Sequence, residues 1–378
     1  MKCVGCGVKV QTVDETKEGY VSEIHVIENG ENVYCKRCFD IIHYNRRYNV
    51  PPENKLFYDK MNQVKKKNPK DVILLLLDVL DIYSGFIPNI ENIVGDMKVI
   101  ILINKIDLMP KSIKLRHIED SVRELAKKHN LNVISVYPVS SKNKKNIETV
   151  LKKIDKLRYN KYSNKPLFNN CYVVGCASVG KSTFINSVKE ICGLDNSTPI
   201  TTSDQFQTTL DIIKVELGAK FFINDTPGVI NNNSFSAYLD YESVKIVTPK
   251  SFLRVRTYQL QNGQTLFLGG LVRADISCDG VCSVSCFISN NLYVHRTKTI
   301  KADEILETQK FKLLVPPLTD IEYDRLGSIK VHDIEIKEKE FYDIIIPGIG
   351  FLHVSGENLK IKLHLSEKVK FECIKSFI

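Results

Sequence analysis

The chain has 378 residues, a formal net charge of +9 at pH 7, and hydrophobic and charged contents of 43% and 26%. These values are typical of a globular protein with two or three domains. No apolar run approaches membrane-spanning length and the N-terminus has no signal-peptide core, so we expect a cytoplasmic protein. The positive charge suggests a polyanionic partner, although a solvated basic face would have the same composition.

Two CxxC pairs mark the first segment, residues 1–50, as a zinc-finger domain. Four thiolates can hold one Zn²⁺ tetrahedrally and leave no open position, which predicts a structural site. A redox dithiol is the alternative, but no thioredoxin-like βαβ pattern surrounds these cysteines. The predicted zinc ligands are Cys3, Cys6, Cys35 and Cys38.

The other cysteines are interpreted as small buried hydrophobes, because a chain without an export signal favours reduced thiols over disulfides. Asp279-Gly280 has the composition of a hairpin turn and is expected to turn the chain within one cluster of them. These cysteines are Cys171, Cys176, Cys192, Cys278, Cys282, Cys286 and Cys373.

Residues 51–235 alternate apolar runs with amphipathic stretches, which predicts an α/β domain with a mostly parallel sheet. The runs are DVILLLLDVLD, KVIILINKID, NVISVYPVSSK, NNCYVVGCAS and AKFFINDTPG, and each ends where a functional loop is expected. Three-and-four spacing from Ile147 to Leu157 predicts one buried helix face. The polar, basic stretch Lys156–Pro166 is expected to be a connector.

The second apolar run ends in Asn104-Lys105-Ile106-Asp107, a pattern that specifies guanine. A carboxylate at Asp107 can accept from both N1–H and the 2-amino group of guanine, whereas adenine offers no donor there. Asn104 is expected to tie the loop together, and the Lys105 stem to lie along the base plane. An isolated NKxD arises easily by chance, but here a strand ending in SSK follows. Ser140, Ser141 and Lys142 are therefore assigned to the base site, with Ser141 and Lys142 contacting guanine O6.

A phosphate loop of the form GxxxxGK[ST] begins at Gly175, between an apolar strand and a helix. Its glycines let backbone N–H groups curl around phosphate oxygens, and the helix N-terminus adds its dipole. Lys181 is expected to reach the β- and γ-phosphates, and the Ser182 hydroxyl to bind Mg²⁺. The predicted nucleotide contacts in this loop are Gly175, Ser178, Val179, Gly180, Lys181, Ser182 and Thr183.

Two further motifs complete the site. Asp225 of DTPG is expected to hold Mg²⁺ through water, while the Gly228 amide senses the γ-phosphate. Thr208 or Thr209 would close over Mg²⁺, with Thr209 favoured, although either could be an ordinary strand residue. The predicted catalytic set is Lys181, Thr209, Asp225 and Gly228, and the magnesium ligands are Ser182 and Thr209.

The residue after DTPG is Val229, where Ras-like proteins place a glutamine that orients the attacking water. Valine cannot hydrogen-bond water, so slow intrinsic hydrolysis is expected unless a partner supplies the missing group. Packing in the core is the other interpretation of this residue, and both can hold.

The motifs appear in the order G4-G5-G1-G2-G3, which indicates a circularly permuted G domain. DTPG then leads directly into residues 236–378, where short strands, turn signals and one helix near Lys301–Lys310 predict a mainly β (α+β) domain. Because DTPG is the last G motif, ordering it by a γ-phosphate is expected to reposition that domain.

With these motifs, the chain resembles the YqeH-like circularly permuted GTPases of ribosome assembly. The resemblance includes CxxCGVxxQT at the start, CxRCFxxxHYN at Cys35–Asn45, LFLGGLVRAD at Leu266–Asp275 and HRTKxxKADE at His295–Glu304. It implies GTP-dependent maturation of the small (30S) ribosomal subunit, with the last domain docking on rRNA. The candidate rRNA contacts are Arg273, Arg296, Lys298 and Lys301, with a solvated face as the alternative.

Two positions depart from the family pattern. Ser178 stands where potassium-stimulated relatives have asparagine, which leaves K⁺ binding open and predicts weak potassium stimulation. Gln207 replaces the glycine of PGTT. A nucleotide-sensing RNA-binding module with negligible turnover is the second functional hypothesis. A tRNA-modifying GTPase ranks lower, because nothing in the last domain resembles a folate or flavin site.

Overall fold

The computed structural model divides the chain into two compact units, an N-terminal unit of Met1–Asp107 and Glu119–Ile230 and a C-terminal unit of Leu108–Ile118 and Asn231–Ile378. The residues that the structure describes are 3, 8–14, 17, 19–21, 33, 35–36, 54–160, 163–194, 213–218, 220–337 and 340–378.

The N-terminal unit contains a six-stranded sheet in the order β3-β2-β1-β6-β8-β7. All neighbours pair in parallel except β7, which runs antiparallel to β8 at the edge. The five predicted strands are present, and their carboxyl ends share one edge, as parallel strands require. The strands are β1 (Val72–Asp78), β2 (Lys98–Asn104), β3 (Val133–Pro138), β6 (Asn170–Val174), β7 (Ile213–Gly218) and β8 (Phe221–Asp225).

Among the described residues, five α-helices accompany this sheet. Burial follows the predicted spacing in α4, where Ile147, Val150 and Ile154 are buried. The strands β1 and β2 are buried along nearly their whole length, which explains their continuous apolar sequence. The helices are α1 (Lys55–Lys67), α2 (Ile90–Val94), α3 (Leu115–Lys128), α4 (Ile147–Arg158) and α5 (Lys181–Ile191).

The basic connector after α4 forms a small hairpin of β4 (Tyr159–Asn160) and β5 (Ser163–Pro166). Arg158 is buried at its start and donates to the Phe168 carbonyl at 3.3 Å. The buried Asp71 accepts from the N–H and Nδ2 of Asn170 at 3.2 and 2.9 Å. These contacts anchor the point where the base-reading half of the chain joins the phosphate-binding half.

The C-terminal unit is mainly β, with one eight-stranded antiparallel sheet. Two strands of 17 residues each, β11 and β15, pair with each other through its centre. The remaining strands flank them, and buried residues of the unit form one large hydrophobic core and a smaller cluster around Phe267. The strands are β9 (Arg256–Gln261), β10 (Gln264–Leu268), β11 (Val272–Ile288), β12 (Val294–Lys298), β13 (Ile329–Ile336), β14 (Tyr342–Ile346), β15 (Gly350–Ser366) and β16 (Glu372–Lys375).

Three α-helices lie between residues 231 and 378 in the described part of this unit: α6 (Tyr241–Val247), α7 (Ala302–Gln309) and α8 (Asp320–Leu326). Only α7 was expected from the sequence. Both additional helices are seven residues long, too short for a clear three-and-four pattern. No helix in the described ranges is long and apolar enough to cross a membrane.

The prediction of a hairpin turn at Asp279-Gly280 is wrong. β11 continues through these residues with irregular pairing between Ser277 and Ser283, and Gly280 has a φ of 70°. The chain therefore absorbs the turn-forming pair as a bulge. Pairing to β15 and β9 on either side outweighs the local turn preference.

Candidate functional site

The phosphate loop joins β6 to α5, and two of its glycines are required by close contacts. A Cβ at Gly175 would lie 2.6 Å from the Leu76 carbonyl oxygen. Gly180 has a φ of 95°, and a Cβ there would lie 2.5 Å from Asn104 Nδ2. Ser178 also has a left-handed φ, of 63°. The loop can therefore curl tightly enough to aim its N–H groups inward.

Lys181 begins α5 and is buried within the loop. Its Nζ donates to the carbonyl oxygens of Gly175 and Cys176, both at 2.9 Å. Burial lowers the pKa of Lys181, and the nearby Asp225 carboxylate opposes that shift. The ammonium is thus held at the mouth of the phosphate loop, where a phosphoanion can exchange for the two carbonyl oxygens.

The predicted magnesium residues meet at the same strand edge. Ser182 Oγ donates to Asp225 Oδ2 at 3.1 Å, and Asp225 is fully buried at the end of β8. A hydroxyl and a carboxylate are hard oxygen donors of the kind that Mg²⁺ prefers, so the pair fits that ion. Thr208 and Thr209, the predicted switch threonines, lie outside the described residues.

DTPG packs directly on the phosphate loop. A Cβ at Gly228 would lie 3.0 Å from Lys181 Nζ and 3.2 Å from the Ala177 Cα, so a larger residue there would have to displace these neighbours by a few tenths of an ångström. The next residue, Val229, accepts from the Ala177 N–H at 2.8 Å and donates to the Gly175 carbonyl at 3.3 Å. Its side chain is fully buried. Val229 therefore packs in the core and holds two loops together through its backbone.

Asn104 connects the phosphate loop with both base-reading loops. Its Nδ2 donates to the Val179 carbonyl at 2.8 Å, and its Oδ1 accepts from the N–H and Oγ of Ser141, both at 2.9 Å. Ser187 of α5 adds a hydrogen bond to the Ser141 carbonyl. Sequence reasoning missed the roles of Val179's carbonyl and Ser187, since neither position is specified by a motif.

Asp107 lies in the turn after β2 and is oriented by a neighbour. Its Oδ1 accepts from Ser140 Oγ at 2.6 Å, while Oδ2 has no partner in the described part of the chain. Ser140 also accepts from the Asn143 N–H at 3.0 Å, which shapes the SSK loop. Lys142 is exposed in this loop. One carboxylate oxygen is thus fixed and the other is available to a base.

Cys3 and Cys35 come together as the zinc prediction requires. Both are buried, and the Cys35 N–H donates to Cys3 Sγ at 3.1 Å. Amides directed at sulfur are typical of cysteine metal ligands, which are thiolates. Cys6 and Cys38 lie outside the described residues, and the described residues alone contain no group of three or more metal-ligating side chains.

Most of the remaining cysteines are buried thiols, as expected. Burial raises the pKa of Cys282 and of Cys286 to about 12. Cys192 is the exception, because it is exposed just after α5, and Cys373 is half-buried. The expectation of burial was therefore wrong for Cys192, where the helix ends and the chain reaches the surface.

Of the candidate rRNA contacts, Arg273 is placed differently from the others. It is buried and donates from Nε to Asp275 Oδ1 at 2.8 Å, with a second ion pair to Asp303. Burial alone would raise the pKa of the Asp275 carboxyl. Hydrogen bonds from His364, Arg273 and Thr265 outweigh that effect and hold this pKa well below its usual range. Arg273 is thus engaged within the fold. In contrast, Arg296, Lys298 and Lys301 are exposed on or just after β12.

The phosphate loop, DTPG, and the two base-reading loops around Asn104 define a P-loop GTPase. Family profiles agree: residues 170–260 match one described as "50S ribosome-binding GTPase", and residues 281–377 match "YqeH-like, C-terminal". The YqeH protein of Bacillus subtilis (strain 168) is 34% identical, over 97% of this chain and 96% of that protein. The chain therefore belongs to the YqeH-like GTPase family.

More distant similarities were also found. The Arabidopsis thaliana protein named "NO-associated protein 1, chloroplastic/mitochondrial" is 27% identical, over 93% of this chain and 69% of its own length. Among solved structures, a GDP-bound structure of TM YlqF is 19% identical, covers 49% of this chain and 65% of that chain, and has a TM-score of 0.28.

Proposed function

We propose that this protein is a GTP-hydrolysing assembly factor for the small ribosomal subunit that docks on rRNA in a nucleotide-dependent way. The observation that carries the nucleotide part is Asn104, whose hydrogen bonds join the phosphate loop to the SSK loop. The two halves of the site, separated in an unusual order along the chain, thereby form one nucleotide cradle. A circularly permuted G domain accounts for that order.

In this proposal, Lys181 contacts the β- and γ-phosphates and the Gly228 amide senses the γ-phosphate. Ser182 and Asp225 would hold Mg²⁺, with Asp225 acting through water, and the ion would neutralise charge on the phosphates when bound. Thr209, rather than Thr208, would complete this shell from the segment before β7. Backbone amides of the phosphate loop and the residue Thr183 would add further phosphate contacts.

The base site supplies the selectivity. Asp107 Oδ2 faces no protein donor in the described residues, so it can accept from guanine N1–H and the 2-amino group. Adenine would leave Oδ2 of this half-buried carboxylate without a donor, which costs affinity. Ser141 and Lys142 would contact guanine O6. Potassium binding stays open at Ser178, whose left-handed φ suits the asparagine of potassium-stimulated relatives.

We further propose three domains: a zinc finger at 1–50, the G domain at 51–235 and an RNA-binding domain at 236–378. Zn²⁺ would be held by Cys3, Cys6, Cys35 and Cys38, supported by the Cys35 amide directed at Cys3. Because its proposed partner is the small ribosomal subunit, we also propose that the protein acts in the cytoplasm.

The rRNA-binding surface is assigned to the exposed cations around β12. Arg296 and Lys298 are two residues apart and therefore point to the same side of this strand, which pairs only with β10 among the described strands. Neither makes an ion pair within the described ranges. Exposed cations without internal partners are the groups that neutralise phosphates.

Sedimentation with purified 30S and 50S subunits tests the assignment. Binding to 30S should be stronger with a GTP analogue than with GDP, and it should weaken steeply with salt. The variant Arg296→Glu/Lys298→Glu should lose most binding, whereas Lys330→Glu/Lys370→Glu, with the same charge change, should not. Preferential binding to 50S subunits would contradict the small-subunit assignment and agree instead with the family profile described as "50S ribosome-binding GTPase".

A nucleotide-sensing module with negligible turnover is a second candidate, favoured by the fully buried Val229, which cannot position water. Measuring GTP hydrolysis with and without 30S subunits separates the two. A rise on adding subunits supports the assembly factor, because the particle then supplies the missing group. Equal and negligible rates support the sensing module.

A further inference from the structure

Asp78, the last residue of β1, lies outside every nucleotide-binding motif but contacts one of them. Its Oδ2 lies 2.6 Å from Lys105 Nζ, and its Oδ1 accepts from the Leu80 N–H at 3.0 Å. The Lys105 and Asp78 side chains are only 21% and 19% exposed. The ion pair is therefore partly shielded from water. Each of the two carboxylate oxygens of Asp78 has its own partner, which fixes the orientation of the carboxylate.

The backbone places this carboxylate beside the base-reading motif. Asp78 pairs in register with Asn104, and the Val79 N–H donates to the Asn104 carbonyl at 3.1 Å. Lys105 then takes a left-handed φ of 66°, which turns the chain out of the strand. A long lysine side chain at such a turn has many rotamers, and ordering it costs conformational entropy unless a partner holds it.

Each side chain of the NKxD motif thus has its own anchor. Asn104 is held by the phosphate and SSK loops, and Asp107 by Ser140. We propose that Asp78 is a positioning residue for nucleotide binding. It holds the Lys105 ammonium so that the methylene stem of that side chain lies along the plane of the bound base.

This proposal rests on the base site assigned above, and it predicts a distinct pattern of effects. Losing the anchor leaves Lys105 in place but unordered, which should weaken GDP binding about tenfold. The stem packs on the face of any purine, so selectivity for guanine over xanthine should not change. Asp107→Asn, in contrast, should change that selectivity, because it alters the hydrogen-bonding edge.

The test is a double-mutant cycle measured by GDP titration calorimetry on the full chain. Asp78→Asn keeps an acceptor for the Leu80 N–H and removes the charge, whereas Lys105→Met keeps the stem and removes the ammonium. If Asp78 acts through Lys105, each single variant and the double variant should lose about the same tenfold. Asp96→Asn is the matched control and should bind like the wild type, since the exposed Asp96 precedes β2, at the other end of that strand from Asn104.

Several outcomes would overturn the proposal. Wild-type GDP affinity in Asp78→Asn would show that the anchor is unnecessary, and losses that add in the double variant would show that Asp78 acts by another route. If Asp78→Asn does not fold, the GDP affinities of Lys105→Met and Lys105→Arg decide the question. Lys105→Arg retains the ion pair and should bind GDP more tightly than Lys105→Met. Equal GDP affinity in these two variants would refute the proposal. A wild type without preference for GDP over ADP would instead refute the base site itself.

Discussion

Replacing Asn104 by alanine should separate the cost to stability from the cost to nucleotide binding. The substitution leaves the Val179 carbonyl and the Ser141 N–H buried without their partner. Each such group costs about 1–3 kcal/mol, so the free energy of unfolding should fall by ~4 kcal/mol. Asn224→Ala is the control, because buried Asn224 makes one comparable hydrogen bond, to the Cys171 carbonyl, and its side chain bonds to none of the nucleotide loops in the described residues.

The nucleotide effect of Asn104→Ala comes from disconnecting the phosphate loop from the base-reading loops. Losing these two oriented hydrogen bonds should raise the Kd for GDP about a hundredfold, equivalent to ~2.7 kcal/mol. At a GDP concentration 100 times the wild-type Kd, ligand should stabilise the wild type by about 2.7 kcal/mol and the variant by only about 0.4 kcal/mol.

Urea unfolding of both variants, with and without GDP at this concentration, measures these quantities. Asn224→Ala should be destabilised but should keep the full GDP-dependent gain. If GDP stabilises Asn104→Ala as much as it stabilises the wild type, then Asn104 does not couple the two halves of the site. The assignment of one nucleotide cradle would then be wrong.

Three further predictions concern base, metal and rate. Asp107→Asn should weaken GDP and favour xanthosine nucleotides, because an acceptor becomes a donor; equal competition by ATP and GTP in the wild type would contradict the base site. The purified protein should carry one zinc per chain, and Cys35→Ser should lose it, as metal analysis would show; unchanged zinc would exclude Cys35 as a ligand. Basal GTP hydrolysis should be slow because of Val229, and Ser178→Asn should raise its potassium sensitivity; strong potassium stimulation of the wild type would refute that interpretation of Ser178.

The sequence alone was sufficient to predict which loops come together at the nucleotide site. Each motif follows an apolar run, and parallel strands bring their carboxyl ends to one edge, so Asn104, Ser141, Lys181 and Asp225 had to lie near one another. Local chemistry also explains Gly180, whose φ of 95° is a conformation that residues other than glycine rarely adopt. These features depend on short-range pattern and strand direction, which the sequence encodes directly.

Only the tertiary structure decided which polar groups pair with one another. Asp78 and Lys105 are 27 residues apart in sequence, and no motif predicts their contact. Arg273 was expected at the surface, but Asp275 and Asp303 hold it inside the fold. Such ion pairs depend on long-range register between strands and neighbouring elements, whereas a charged residue in the sequence shows only that a partner or water is required.

The same limit applies to Asp279-Gly280 in β11. The dipeptide favours a turn within its own few residues, and nothing nearby in the sequence contradicts that preference. In the folded chain, β15 and β9 supply ladder hydrogen bonds along both sides of β11, and these outweigh the local preference. Strand pairing between distant residues is a property of the whole sheet, so it becomes visible only once the sheet has been assembled.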